Sequence, residues 1–194
     1  MSAPGREIEL KFLLHRADIA ALLAALPAGE AAVKAMQATY YDTAGDTLRW
    51  AGLGLRVRRT GASRIQTLKS AAGADGGRDE WEWPVPSDAP DPRLLADTPA
   101  KLPPGARPEP RFTVTVSRTT RVVALGDARI EIALDDGEVV AGGRQETILE
   151  LELELLSGPR EALDRLASDL RSRVPLVPST ITKAERGFRL LAMT

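Results

Sequence analysis

The sequence contains no cysteine and only one histidine, His15. Without cysteine the chain can form no disulfide, no thiolate nucleophile and no cysteine-ligated zinc site. A single histidine cannot build a histidine-based metal site or a Ser-His-Asp triad. Any catalytic chemistry must therefore come from carboxylates, Lys and Arg side chains, hydroxyl groups and a bound metal.

Long apolar runs and a surplus of one charge are missing as well. No apolar stretch approaches the roughly 18 residues that indicate a membrane span, and the first six residues contain no signal-peptide core. The formal net charge of −1 lacks the positive excess that is typical of general nucleic-acid binders. These absences predict a cytoplasmic location and neither a membrane nor a nucleic-acid partner. A monomer and a homodimer both remain open.

The composition and the proline distribution indicate how the chain is organised. With 194 residues, of which 43% are hydrophobic and 27% charged, it suits one globular domain. Nine of the 14 prolines fall in residues 84–110, which are therefore too rich in proline for regular structure. A linker between two domains is one interpretation. We expect a long loop inside a single domain of residues 1–194, because the segments on its two sides carry matching charge patterns.

Alternation of apolar and polar residues predicts a mainly β protein. Period-two patterns predict strands at residues 6–14, 36–42, 53–60, 64–70, 78–85, 112–125, 129–135, 138–140 and 147–156. Helical spacing predicts helices over residues 16–26 and 157–174, and another that begins near Ser179. About eight strands with few helices indicate a barrel or a strongly curved sheet, with the helices packed on its outside.

Charged side chains occupy one face of most predicted strands, because residues two apart point to the same side. Acidic residues dominate the first and last strands and basic residues dominate the middle. The shared faces are Glu7, Glu9 and Lys11; Arg56 and Arg58; Thr67 and Lys69; Glu80 and Glu82; Arg129, Glu131 and Asp135; and Glu150, Glu152 and Glu154. For any one strand, a solvated face over a packed core is the ordinary interpretation.

Taken together, these faces favour a charged interior. Helices packed outside a barrel would turn the charged faces inward, and an inward charged lining requires water or a charged ligand. Clustered carboxylates favour a hard divalent cation such as Mg²⁺ or Mn²⁺. Arg and Lys side chains opposite them favour a polyphosphate. The pattern therefore predicts a cavity that binds polyphosphate and metal, which does not by itself establish catalysis.

A set of short motifs in a fixed order resembles the CYTH family, the triphosphate tunnel metalloenzymes. The set covers nearly the whole chain and comprises Glu7-x-Glu9-x-Lys11, Tyr40-Tyr41-Asp42-Thr43, Leu55-Arg56-Val57-Arg58, Thr67-Leu68-Lys69, Arg78-Asp79-Glu80, Glu150-Leu151-Glu152-Leu153-Glu154 and Lys183-Ala184-Glu185-Arg186-Gly187. Residues 129–158 are most similar to bacterial inorganic triphosphatases, in which a helical CHAD domain follows the CYTH domain. No CHAD-like region is present, so we expect either a stand-alone relative or a piece of a longer protein.

The resemblance implies a closed eight-stranded antiparallel barrel that hydrolyses inorganic triphosphate with Mg²⁺ or Mn²⁺. It implies catalytic roles for Glu7, Glu9, Lys11, Glu152 and Glu154, of which the four glutamates would hold the metal. The triphosphate-binding residues would be Lys11, Arg56, Arg58, Lys69, Arg118 and Lys183. Further candidates for the tunnel are Arg78, Glu80, Glu82, Arg121, Glu131, Asp135, Glu150 and Arg186.

Two questions stay open at this level. The polar face formed by Thr113, Thr115 and Ser117 selects Arg121 for the tunnel, whereas the resemblance favours Arg118, which we prefer. The activity has alternatives too, since the family also contains thiamine triphosphatases, RNA triphosphatases and adenylyl cyclases. A non-catalytic sensor of polyphosphate or nucleotide is the alternative from a different class.

Overall fold

The computed structural model describes residues 4–74 and 76–193, and these form one antiparallel sheet with four α-helices. The strands are β1 (Gly5–Glu7), β2 (Glu9–Leu13), β3 (Ala31–Asp42), β4 (Leu53–Thr60), β5 (Ser63–Ser70), β6 (Arg78–Pro84), β7 (Glu109–Leu125), β8 (Ala128–Ala141), β9 (Arg144–Ser157) and β10 (Val177–Pro178). The helices are α1 (Ile19–Ala25), α2 (Thr47–Trp50), α3 (Arg160–Arg173) and α4 (Lys183–Ala192). Short 3₁₀ turns occupy Arg16–Asp18 and Pro92–Leu95.

The N-terminal segment joins the two ends of the sheet. The strand order is β1-β6-β5-β4-β3-β7-β8-β9-β2-β10, so that β1 pairs with β6 while β2 pairs with β9. Between them, the Leu155 N–H donates to the carbonyl of Ile8 over 2.9 Å. The sheet therefore curls into a barrel, as predicted. It has ten strands instead of eight, because the first is divided at Ile8 and Val177–Pro178 adds a short one.

Three element boundaries differ from the predicted ones for local reasons. Residues 31–35 extend β3 because they pair with residues 117–121, although this alanine-rich stretch shows no alternation. The predicted strands 129–135 and 138–140 are one strand, since Gly137 lets β7 pass closely: an added Cβ would lie 2.0 Å from the Thr115 carbonyl oxygen. Helix α4 starts at Lys183 because Thr182 and Glu185 form a capping box. The glycine-rich sequence of residues 71–77 also predicts a turn between β5 and β6, and residue 75 of that segment lies outside the described residues.

Two apolar clusters cover the outside of the barrel. Helices α1 and α3 pack Leu22, Leu163 and Leu170 against the outward side chains of β2, β8 and β9. On the opposite side, the 84–110 loop packs Leu95 and Ala100 over β4 and β5. The strands that flank this loop, β6 and β7, belong to the same sheet. No helix within residues 4–74 and 76–193 is long and apolar enough to cross a membrane.

Helix α4 packs on the inner side of the sheet, so the prediction that the helices lie outside is wrong for it. Its Phe188 contacts Phe112 edge to face, at 5.1 Å between ring centroids, in a cluster that contains Tyr40 and Val139. Gly187 permits this approach, because a Cβ there would lie 2.2 Å from the Phe112 ring. The helix enters the barrel because its first turn carries cations that pair with inward carboxylates.

Candidate active site

A cavity of about 830 Å³ lies inside the barrel, bounded on one side by α4. Strand alternation directs charged side chains into it from eight of the strands. Of the residues predicted from the sequence, those that line it are Glu7, Glu9, Lys11, Arg56, Arg58, Lys69, Arg78, Glu80, Glu82, Arg118, Glu131, Glu152, Glu154 and Lys183. The charged faces therefore converge on one enclosed space.

Lys183 occupies the most deeply buried part of the site. Its ammonium lies 2.7 Å from Asp135 and 2.9 Å from Glu152, and it also donates to Glu150. Burial opposes the charged form, but Glu152, Asp135 and Glu150 raise the pKa of Lys183 above its ordinary value. Asp135 and Glu150 are fully buried and lie behind the cavity lining, so their part is to hold this lysine.

Arg118, not Arg121, is the arginine of β7 that faces the cavity. Its guanidinium forms two 2.7 Å hydrogen bonds to Asp135 and one of 2.5 Å to Glu152. Arg121 instead donates to the Pro27 carbonyl over 2.6 Å, so its inclusion among the tunnel residues is wrong. The polar face of Thr113, Thr115 and Ser117 points away from the cavity, because the inner face of β7 is apolar at Val114 and Val116, where it meets the α4 cluster.

Arg186 also lies outside the cavity lining, contrary to its inclusion among the tunnel candidates. It is buried, and its Nη1 donates to Glu146 over 2.6 Å while Nη2 lies 3.6 Å from Glu150. Lys183 lies one helical turn before Arg186 on α4. The pair of Arg186 and Glu146 therefore holds α4 against β9 next to Lys183.

The acidic residues of the first strands are paired with bases from β5 and β6. Lys69 contacts Glu7 at 2.6 Å and Glu80 at 3.2 Å. Arg78 donates to Glu9 over 2.5 Å. On the opposite side, Glu152 accepts from Arg118 and Lys183 and lies 3.3 Å from Lys11. Although burial opposes it, Lys183, Arg118 and Lys11 hold the pKa of Glu152 well below its usual range.

Within the described residues Glu154 lacks such a partner, as does Glu131. It sits between Glu9 on β2 and Glu131 on β8 in the strand register. Within residues 4–74 and 76–193, no hydrogen bond or ion pair engages its side chain. Burial and the nearby carboxylates, above all Glu7, raise the pKa of Glu154 to about 7, although Lys69 opposes them. A carboxylate in such surroundings favours a bound cation.

The carboxylates around Glu154 suit a divalent metal by their chemistry, although within residues 4–74 and 76–193 their oxygens do not form a group of three within 4.8 Å of one another. Glu7 Oε2 is buried without a hydrogen-bond partner, so this oxygen is available beside the Glu154 carboxylate. Carboxylate oxygens are the ligands that Mg²⁺ and Mn²⁺ prefer. A second acidic group, Asp135, Glu150 and Glu152, brings its oxygens within 4.8 Å of one another, but Lys183 already neutralises it. Of the predicted metal ligands, Glu7, Glu9 and Glu154 therefore lie in more suitable surroundings than Glu152.

The arginines of β4 form the complementary, anion-seeking part of the cavity. In the described part of the chain, Arg56 forms no ion pair, and its Nε is buried without a hydrogen-bond partner. The neighbouring Arg56 guanidinium, together with burial, lowers the pKa of Arg58. Arg58 lies 3.4 Å from Glu82, which also accepts from Thr67 over 3.1 Å. Two adjacent guanidinium groups with little neutralisation favour an anion with several negative charges.

Sequence reasoning missed several residues of the lining. Tyr40, the cross-strand neighbour of Arg56, lines the cavity and stacks on Phe112 at 4.7 Å. Arg49 and Phe188 line it as well. Arg49 lies on the short helix α2, which shows no periodicity that could predict it. The helix forms because buried Asp42 accepts hydrogen bonds from the backbone N–H groups of Thr43, Leu48 and Arg49.

Comparison with known proteins agrees with this architecture. The family model described as "CYTH domain" matches residues 5–188. This chain belongs to the CYTH domain family. A curated relative, an inorganic triphosphatase of Haemophilus influenzae, is 30% identical over 160 residues. The match covers 78% of this chain and 45% of that protein, so the chain spans less than half the length of this relative.

Solved structures share the CYTH fold at lower identity. The Hippeastrum protein HpAC1, described as a candidate adenylyl cyclase with a dominant triphosphatase activity, has a TM-score of 0.63 and 20% identity. The match covers 95% of this chain and 94% of HpAC1. The PH1819 protein of Pyrococcus horikoshii has a TM-score of 0.63 and 18% identity, with 95% and 99% of the two chains covered. At these identities the likeness supports the fold alone.

Proposed function

We propose that this protein hydrolyses inorganic triphosphate to pyrophosphate and phosphate inside the barrel, with Mg²⁺ or Mn²⁺. The observation that carries the proposal is that one cavity contains two kinds of unsatisfied charge. Arg56 and Arg58 lack sufficient anionic partners, while Glu154 lacks a cationic partner and Glu7 Oε2 lacks a hydrogen-bond donor. A metal–triphosphate complex supplies both. The curated relative that is named an inorganic triphosphatase supports the choice of substrate.

The residues have separate parts in this proposal. Glu7, Glu9 and Glu154 would hold the cation, with Glu152 as a further ligand. When bound, the cation neutralises phosphoryl oxygens and makes an attacking water more acidic. Arg56 and Arg58 donate hydrogen bonds to the phosphoryl oxygens as their negative charge develops. Four further basic residues orient the chain of phosphates, and carboxylates already hold them in fixed positions: Lys11, Lys69, Arg118 and Lys183.

Glu152 and Glu154 have different parts in this arrangement. Lys183, Arg118 and Lys11 hold the pKa of Glu152 well below its usual range, although burial opposes them. Glu154 has no such cationic partner within the described residues, and burial and nearby carboxylates raise its pKa in the metal-free protein to about 7. We therefore assign to Glu154 a place in the cation site, and to Glu152 the fixing of the basic side chains.

A phosphate-release assay tests the proposal and its alternatives. Inorganic triphosphate, ATP, thiamine triphosphate and pyrophosphate are each supplied with Mg²⁺, with Mn²⁺ or with EDTA. We expect metal-dependent release that is fastest from inorganic triphosphate. Faster release from ATP or thiamine triphosphate would assign a different substrate. Tight triphosphate binding without hydrolysis of any of the four compounds would support the alternative of a non-catalytic sensor.

We further propose that residues 1–194 act as one domain. The strands on both sides of the 84–110 loop pair within one sheet, and the loop itself packs against that sheet through Leu95 and Ala100. Limited proteolysis should therefore spare this loop in the native protein, despite its prolines. Rapid cleavage into two fragments that separate under native conditions would contradict a single domain.

A further inference from the structure

The Arg49 guanidinium has more hydrogen-bond donors than partners at the wall of the cavity. It has five N–H donors, and within residues 4–74 and 76–193 its side chain forms one hydrogen bond, of 3.4 Å to Asp46. Asp46 is shared with Arg111, which lies 3.0 Å away. Arg118, in comparison, makes three short hydrogen bonds to two carboxylates. Most of the donors of Arg49 are therefore available to an anion.

Contacts on both sides of Arg49 hold it in place before any ligand binds. Its backbone N–H donates to buried Asp42 over 2.8 Å, which fixes the end of α2. Its guanidinium lies 4.8 Å from the ring centroid of Phe188 and 5.1 Å from that of Trp50. Because Phe188 itself lines the cavity, these rings direct the guanidinium along the cavity wall. A side chain fixed in this way loses little conformational entropy when it binds.

An uncharged stretch of the lining separates Arg49 from the arginines of β4. The inward positions of that strand are 54, 56 and 58, spaced by about 7 Å, and position 54 is a glycine. A Cβ on Gly54 would meet Ala184 of α4 at an ordinary 3.9 Å, so packing does not require glycine here. Along the chain the lining therefore presents Arg58, then Arg56, then the uncharged Gly54, and Arg49 before the start of the strand. The cavity of about 830 Å³ lies in the upper part of the roughly 300–1,000 Å³ range of sites for drug-sized ligands, and a triphosphate ion is smaller than these.

We propose that Arg49 forms an outer anion subsite of the cavity. It binds the additional phosphate group of a linear polyphosphate that is longer than triphosphate, whose inner phosphates lie at Arg56 and Arg58. This inference rests on the proposed function, because both parts of the cavity bind the same chain of phosphates. The outer subsite gives the cavity a preference for polyphosphates longer than triphosphate, which the clamp of Arg56 and Arg58 alone does not provide.

Isothermal titration calorimetry with tripolyphosphate and tetrapolyphosphate tests the subsite. EDTA is present throughout, so that metal-dependent hydrolysis consumes neither ligand. The variants are R49Q, R49K and R173Q, where Arg173 is an exposed arginine of α3 paired with Asp169 and serves as the matched control. We expect R49Q to weaken tetrapolyphosphate about tenfold, as the loss of a charged hydrogen bond predicts, and tripolyphosphate less than about twofold. R49K should recover part of the loss, and R173Q should match the wild type.

The outcomes separate this inference from the proposed function. If the wild type binds both ligands and R49Q changes neither affinity, the outer subsite is wrong and the triphosphate site stands. Equal losses for the two ligands would place Arg49 in the triphosphate clamp and would also overturn the outer subsite. If the wild type binds neither ligand, with EDTA or with Mg²⁺, the proposed function fails and this inference fails with it. Thermal unfolding of each variant shows whether a lost affinity reflects lost structure.

Discussion

The unpaired Glu154 carboxylate should make the metal-free protein less stable as the pH rises through neutrality. Burial and the Glu7 carboxylate raise its pKa from about 4.5 to about 7. Between these two values the folded state retains a proton that the unfolded state has lost, so the free energy of unfolding falls as the pH increases across this window. The decrease is complete above pH 7 and absent below the pKa of the unfolded chain.

The E154Q variant isolates this effect, because glutamine resembles the protonated acid. A pKa difference of about 2.5 corresponds to roughly 3 kcal/mol. Solvent screening of this partly exposed side chain reduces the expected value to about 1–2 kcal/mol. In EDTA, the advantage of E154Q over the wild type should therefore be smallest near pH 5 and reach about 1–2 kcal/mol in the free energy of unfolding at pH 8.5.

Urea denaturation of both proteins at several pH values between 5 and 8.5 measures the difference. E30Q is the control, since Glu30 is exposed and lies outside the cavity lining; its stability should follow the wild type at every pH. E154Q should also bind Mg²⁺ more weakly, which calorimetry would show. Equal stabilities of E154Q and wild type at pH 8.5, or a less stable variant, would refute the reasoning that Glu154 lacks a cationic partner.

Three further changes test other parts of the site. R56Q should weaken triphosphate binding about tenfold or more in calorimetry, because a charged donor is lost, and an unchanged affinity would remove Arg56 from the clamp. K183M should lower the free energy of unfolding by about 3–5 kcal/mol at pH 7, since it leaves buried carboxylates unpaired. A decrease below about 1 kcal/mol, measured by urea denaturation, would contradict the buried pairing of Lys183 with these carboxylates. D42A should lower the free energy of unfolding by about 2 kcal/mol, because three backbone N–H groups lose their acceptor. An unchanged thermal midpoint would contradict this role of Asp42.

Much of the fold followed from the sequence because strand alternation is strong where one face is apolar and the other charged. The segments around Glu9, Arg56 and Glu152 show this pattern, and each faces the cavity. The pattern fails where the inner face changes character along one strand. Strand β7 is apolar inside at Val114 and charged at Arg118, so its polarity pointed to the wrong arginine. The position of α4 was mispredicted for a related reason, since an amphipathic helix does not reveal which side of a sheet it will cover.

Pairing inside the site lay beyond sequence reasoning as well. The four glutamates predicted as metal ligands look alike on alternating strands, yet Glu152 is neutralised by three cations and Glu154 by none within the described residues. That difference depends on cross-strand register and on where α4 delivers Lys183, both of which are tertiary properties. Arg49 is similar, because its helix is set by the buried Asp42 carboxylate, not by periodicity.

The proposed function is tested most directly by phosphate release from inorganic triphosphate by the wild type, by E9Q and by the control E30Q. We expect steady release by the wild type and E30Q with Mg²⁺ or Mn²⁺ and none with EDTA. E9Q should lose turnover while it remains folded by circular dichroism. Metal-independent release, or full metal-dependent activity in E9Q, would contradict the proposal that Glu7, Glu9 and Glu154 hold the catalytic cation.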